Sequence, residues 1–381
     1  MSRIEVGPPA SPGPESAARP RPETRIQLQR LNTDDMATLA GTAVSAFCLT
    51  WLVYERLTPL SGGLGFWCCW YVLFLATYVV IVRDQYGPVA AKDKVASVVI
   101  TSMGVGLIIP LVFIVGYTVF RGWEALRPTF FTETQLRTGP LSPATEGGGA
   151  HAMVGSLEQV GLAVLMSVPL GVGTALFLNE IGGPMARPLR LIVDAMSAVP
   201  SVVAGLFIYA AIVLGLNQGF SGFAAALALA VLMLPTVTRT AEVVLRLVPG
   251  GLREGALALG GTEWRMARLV ILPTARTGLV TAVILGVARA VGETAPLLFT
   301  TGGNNTMNWN PFSGQQEALP FFVYKLIFSS SNNDVDRAWT GAFVLLVMVL
   351  ILFVTARILG GRGPGQASTF RNRLRRKDSA A

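Results

Sequence analysis

The sequence predicts an all-α integral membrane protein of about eight transmembrane helices. Three observations predict it: an apolar composition, eight apolar runs of spanning length, and a one-sided distribution of basic residues. Of 381 residues, 52% are hydrophobic and only 14% are charged, against roughly 25% charged in an average soluble domain. A hydrocarbon core about 30 Å thick needs about 20 predominantly apolar residues per helix. Runs of that length fall at 36–57, 64–82, 95–120, 153–179, 190–216, 222–245, 277–300 and 338–359. Loops kept on the cytoplasmic side are enriched in Lys and Arg. With the N-terminus inside, 23 of the 30 Lys and Arg lie in inner segments, six in outer ones, and Arg289 inside a helix. Both termini are therefore expected in the cytoplasm.

Residues 1–35 hold Pro8, Pro9, Pro12, Pro14, Pro20 and Pro22 and no apolar stretch. They are expected to form a disordered cytoplasmic tail rather than a cleaved signal. The next segment, 36–83, carries the first two runs. All three cysteines, Cys48, Cys68 and Cys69, fall in those runs, which is neither metal-ligand nor disulfide spacing. The sole histidine, His151, stands in a Gly-rich loop, so no metal site is expected.

The fourth to seventh runs are interrupted by polar groups. A charge at the bilayer centre costs about 2.5 to 3.5 kcal/mol on insertion scales, which singles out Glu158, Asp194, Arg289 and Glu293. Asp194 and Glu158 are expected near helix ends, snorkelling to the interface. Arg289 and Glu293 are four apart in ARAVGETAPLLF, hence on one face of the seventh helix, each partly neutralising the other. They form either a bundle salt bridge or part of a pathway. Pro169, Pro200, Pro235 and Pro296 lie in these runs and Pro110 in the third, and broken backbone in a membrane is tolerated where it lines a cavity.

Between the sixth and seventh helices lies the loop 249–276, most of it in VPGGLREGALALGGTEWRMARLVILP, Val248 to Pro273, too polar to span and too apolar for a linker. Pro249, Gly250 and Gly251 are expected to break the preceding helix, with Glu254 to Leu259 forming a short helix whose acid sits in the first turn. Gly260 and Gly261 stop it, and Thr262 caps a second stretch that runs to Pro273. The chain contains no Gly-x-x-x-x-Gly-Lys-Ser/Thr phosphate loop, so it is not expected to be an ATP-hydrolysing enzyme. Residues 361–381 form a basic cytoplasmic tail without interleaved aromatics, suited to anionic lipid and not to nucleic acid.

Within the 249–276 loop, Glu254, Gly255, Ala256, then Gly260, then Val270 to Pro273 resembles the EAA loop of ABC-type importer permeases. Gly255 stands for the first Ala and Val270 for Ile. The resemblance implies that the short helix docks on an ATPase subunit, with Glu254, Gly255, Ala256, Gly260 and Pro273 as coupling residues. RAVGETAPLLFT, Arg289 to Thr300, further resembles phosphate importer permeases of the PstA type, a branch of the binding-protein-dependent transport system inner membrane components. So do MVGSLEQVGLAVLMSVPLGVGTALFLNE, DAMSAVPSVVAGLF, LMLPTVTRTAEVVLRLVP and LPFFVYKL.

The resemblance covers residues 95–360. It implies the type I importer permease fold, a six-helix core, with 36–83 as two extra N-terminal helices. It also implies the partners: a second phosphate permease (PstC type), an ATPase dimer (PstB type) that binds ATP and Mg, and an extracytoplasmic phosphate-binding protein (PstS type). The location implied is the bacterial inner membrane. A guanidinium offers paired N–H groups to an oxyanion, so Arg289 is the first candidate for a phosphate contact, with Glu293, Thr294 and Ser201 beside it. An importer of molybdate, sulfate or phosphonate, a secondary transporter and a membrane scaffold or sensor are the alternatives.

Overall fold

The computed structural model describes residues 33–57, 62–143 and 145–360. The expected tail over 1–32 and the basic segment 361–381 lie outside the described residues. Residues Thr33 to Asp35, assigned to the tail by composition, already belong to the first helix.

The described chain is all-α. The helices are α1 (Thr33–Trp51), α2 (Gly63–Glu124), α3 (Ala150–Leu176), α4 (Ala186–Ala198), α5 (Ser201–Ile208) and α6 (Gly222–Arg246). They continue as α7 (Gly250–Ala258), α8 (Glu263–Met266), α9 (Leu272–Val291), α10 (Ala295–Thr300), α11 (Leu319–Ile327) and α12 (Asn332–Gly360). Among the described residues six helices are long and apolar enough to cross a membrane, or seven if the bent pair α4 and α5 is one span. The second and third apolar runs both fall in the 62-residue α2, which is two helices joined across the non-helical Gly87; counted as two arms, with the bent pair as one span, they bring the number to the eight that the sequence predicts.

The chain divides into two units, 1–110 and 111–381. In the first, α2 is interrupted at Gly87, which has φ 80° and ψ 171°. A straight helix would carry Tyr71 and Ser102 roughly 46 Å apart at about 1.5 Å per residue, yet their hydroxyls lie 2.5 Å apart. The helix therefore doubles back at Gly87, and Pro88 suits the first position of the returning arm. Phe74, Tyr78, Val82 and Ala91 close a small core with Ala46 of α1. Asp35 of α1 accepts from Lys94 and, at 3.2 Å, from Tyr86.

In the second unit α6 is the central helix. Ala224, Ala225, Ala228, Met233, Val237, Ala241 and Leu245 are all buried, and such small residues let neighbouring membrane helices approach closely. Its two apolar clusters are shared with α3 and α9, and one of them also with α11 and α12. The fifth apolar run does not cross straight: α4 and α5 meet at 105° across Val199 and Pro200. Proline has no N–H to continue a helix and restricts the residue before it, and Val199 is extended, with ψ 124°.

Candidate functional site

The seventh apolar run also breaks. α9 ends at Val291, Gly292 to Thr294 are irregular, and α10 begins at Ala295 with Pro296 in its first turn. Glu293 therefore does not lie on a helical face with Arg289, as the four-residue spacing predicts. It sits in the break, since Pro296 lacks an N–H and disfavours helix in the residues before it. The pair still meets, with Arg289 Nε 3.8 Å from Glu293 Oε1.

The two breaks adjoin. Gly205 of α5 lies against Pro296 of α10 so closely that a Cβ there would come within 2.6 Å of the Pro296 Cα. Ser201 is the first residue of α5, one turn before Gly205, and Thr294 directly precedes α10, two residues before Pro296, with no side-chain capping bond. Packing between α5 and α10 thus brings the stretches holding Ser201 and Thr294 to one place. Irregular backbone inside a bilayer carries unmet polar groups unless protein or a cavity receives it.

Arg289 is held loosely. Its Nη1 reaches the Thr236 hydroxyl of α6 at 3.4 Å, and its side chain is 48% exposed. With five N–H donors per guanidinium, it keeps capacity for a ligand. Thr236 is a partner that pattern reasoning missed; its position one residue after Pro235 in LMLPTVTRT was the available signal.

The loop from 249 to 276 has the expected helix, turn, helix form with two corrections. The preceding helix ends at Arg246 as expected, but α7 already starts at Gly250 with Pro249 before it, so Glu254 falls in the second turn and not the first. Pro273 does not end the second stretch. α8 passes through a π-helical turn at Ala267–Ile271 into α9, where Pro273 occupies the first turn and its missing N–H leaves no gap. Gly260 stops α7 at φ +78°, a left-handed conformation that L side chains rarely adopt. Thr262 caps α8 by accepting from the Arg265 N–H at 3.3 Å. Glu254, Gly255, Gly260 and Pro273 are exposed and Ala256 is half-buried.

The loop is anchored by Arg253, another residue that pattern reasoning missed. Its guanidinium makes a bidentate pair with Glu180 in the π-helical turn after α3, both contacts at 2.9 Å. It also donates to the Leu245 and Val248 carbonyls at 2.9 and 2.8 Å. Around it Leu252, Leu257, Leu259 and Trp264 remain exposed.

The other ionisable groups in the apolar runs have side-chain partners. Asp194 pairs with Arg239 of α6, because α4 crosses beside α6. Glu158 accepts from Gln316 Nε2 at 2.5 Å, in a buried network with Gln159. His151, assigned to a loop by its glycine neighbours, lies in the first turn of α3, buried against the Phe322 ring. Glu317, in the segment before α11, is buried and paired with Lys325 at 2.8 Å; loss of hydration pushes its carboxyl above the usual range. Among the described residues no group of three or more His, Cys, Asp or Glu could hold a metal.

A many-helix membrane bundle, broken at polar residues and bearing an exposed helix-turn-helix loop, is the build of a permease component. The chain belongs to the family of binding-protein-dependent transport system inner membrane components, whose model matches residues 167–362. It is 37% identical over 269 residues to the phosphate transport system permease protein PstA 1 of Mycobacterium tuberculosis, covering 70% of this chain and 88% of that protein. It is also 37% identical to the phosphate transport system permease protein PstA of Mycobacterium leprae, covering 68% and 85%. The PstA of Yersinia pestis is 38% identical over 65% of this chain and 83% of its own length.

Proposed function

We propose that this chain is one permease subunit of an ATP-driven inorganic phosphate importer in a bacterial inner membrane, with both termini in the cytoplasm. In this reading 95–360 is the six-helix core and 36–83 an N-terminal addition. A PstC-type permease completes the pathway. A PstB-type ATPase dimer supplies ATP and Mg chemistry, and a PstS-type protein delivers phosphate.

The observation that carries the reading is Arg289, a half-exposed guanidinium with unspent donors, placed where α9 breaks and the broken α4 and α5 adjoin. Phosphate needs N–H donors for its oxygens, and a planar fork meets two of them. Thr294 and Ser201 supply hydroxyls nearby. Glu293 limits how tightly the anion is held and accepts a hydrogen bond from the P–OH of monohydrogen phosphate, which fully ionised sulfate lacks.

The coupling surface is the exposed face of α7 and α8. Glu254, Gly255, Ala256, Gly260 and Pro273 form its frame, and Leu252, Leu257, Leu259 and Trp264 supply apolar contacts. An exposed apolar patch outside the membrane is an interaction site. The Glu180–Arg253 pair ties that surface to α3, so a push on α7 reaches the transmembrane helices as a rigid-body displacement.

The test is reconstitution with the candidate ATPase, second permease and binding protein, following ATP-dependent uptake of radiolabelled phosphate. Wild-type uptake that collapses in an assembled Arg289→Gln complex supports both assignment and residue. Uptake unchanged in the variant removes Arg289 from the pathway, and absence of uptake by an assembled wild type favours another oxyanion.

A further inference from the structure

α6 carries further polar groups beyond Thr236. Arg239, Glu242 and Arg246 follow at three- and four-residue spacing and so share one side of the helix. Glu242 is 3% exposed and receives Arg190 of α4 at 2.9 Å, Arg239 at 3.0 Å and Arg246 at 2.5 Å. Arg239 also pairs with Asp194. Three guanidiniums thus surround two carboxylates, leaving one positive charge unbalanced.

The burial is asymmetric. The carboxylate at the centre is enclosed, while Arg239, Arg190 and Arg246 are 33, 42 and 59% exposed. A cluster serving only to clamp α4 to α6 gains nothing from open cations. Arg337 in the same unit is the contrast: it is 3% exposed, and its Nη1 and Nη2 are given to Asp334 and three backbone carbonyls. The exposed parts of the Arg190, Arg239 and Arg246 guanidiniums keep donor capacity beyond Glu242 and Asp194.

We propose that Arg190, Arg239 and Arg246, held by Glu242, form an oxyanion-binding station at the cytoplasmic end of the pathway, where phosphate rests after leaving Arg289. The inference rests on the phosphate-permease reading and on its orientation. Thr236, which Arg289 touches, lies about 4.5 Å before Arg239 along α6 and about 15 Å before Arg246, so the anion passes between guanidiniums without a long uncompensated step. Glu242 and Asp194 keep the station from holding its ligand too firmly, since conduction needs sites weak enough to leave.

The experiment uses proteoliposomes containing the complete transporter, with radiolabelled phosphate outside and inorganic phosphate at graded concentration inside. Internal phosphate is expected to slow wild-type uptake. Arg239→Gln and Arg190→Gln are expected to lower the maximal rate roughly tenfold, the equivalent of one charge-assisted hydrogen bond. They should leave the external KM unchanged and lose the response to internal phosphate, and Arg239→Lys should recover part of the rate.

Variants that assemble with unchanged rate and unchanged response overturn the station. If the glutamine variants fail to assemble, phenylglyoxal modification of the wild-type complex decides. Protection of Arg190 and Arg239 by phosphate but not chloride supports the proposal, and equal modification overturns it. Wild-type complex without ATP-driven phosphate uptake removes the underlying reading and the station with it, an outcome distinct from active wild type with indifferent variants.

Discussion

Two arginines, one at the broken helix and one in the 249–276 loop, are used in opposite ways. Arg253 spends its donors on Glu180 and on the Leu245 and Val248 carbonyls, all within 2.9 Å, and its side chain is 24% exposed. Arg289 has one contact at 3.4 Å and one at 3.8 Å and is half exposed. A guanidinium with four of its five donors matched fixes geometry, whereas one with most donors to spare at an irregular backbone is free to take up a ligand. Saturation, not position in the sequence, separates anchor from site.

The comparison breaks most readily at its loose end. Arg289→Gln should lower phosphate uptake by more than about 100-fold while leaving the thermal midpoint of the solubilised complex unchanged. Arg289→Lys should rescue little, because a point charge does not reproduce the fork. A lowered midpoint for Arg289→Gln would make it a structural residue after all.

The anchor should behave in reverse. Glu180→Gln leaves a guanidinium partly unpaired and is expected to cost about 3 kcal/mol, the lower end for a buried pair broken at one partner, since Arg253 retains two carbonyls. A fall in thermal midpoint together with loss of transport-coupled ATPase stimulation is the expected readout. An unchanged midpoint would show that the pair is not what holds α7.

Gly260→Asp should come next in size. The left-handed backbone at φ +78° costs an L residue about 1 to 2 kcal/mol. Membrane insertion should be normal by fractionation and ATPase coupling lost; normal transport would count against α7 as a docking helix. The smallest effect is expected for Glu293→Gln, a few-fold change in phosphate rate with weakened exclusion of sulfate in competition assays. Unchanged sulfate exclusion would remove its selectivity role.

Much of this was legible in the chain. The apolar runs follow from the membrane's thickness, and the turn at Gly260 and the cap at Thr262 follow from local backbone chemistry, so both could be read without neighbours. Arg289 stood out because a charge in an apolar run is costly wherever it folds. Glu180 and Arg253 did not stand out, because they are 73 residues apart and each alone resembles an ordinary interfacial charge. The reversal between the second and third runs was legible from the polar stretch that separates them; what was not legible is that both arms stay helical up to Gly87.

The sequence by itself determined that this chain is a membrane-spanning helical protein with a non-spanning helix-turn-helix loop, because burial in lipid and local turn chemistry act residue by residue. Tertiary structure alone decided where the helices break against one another. It also decided that Thr236 meets Arg289, that Asp194 and Arg190 meet the α6 carboxylate and guanidiniums, and which arginines are left with donors unspent. Those depend on helices far apart in the chain packing side by side, and hydrogen-bond saturation is a property of the packed pair, not of either residue.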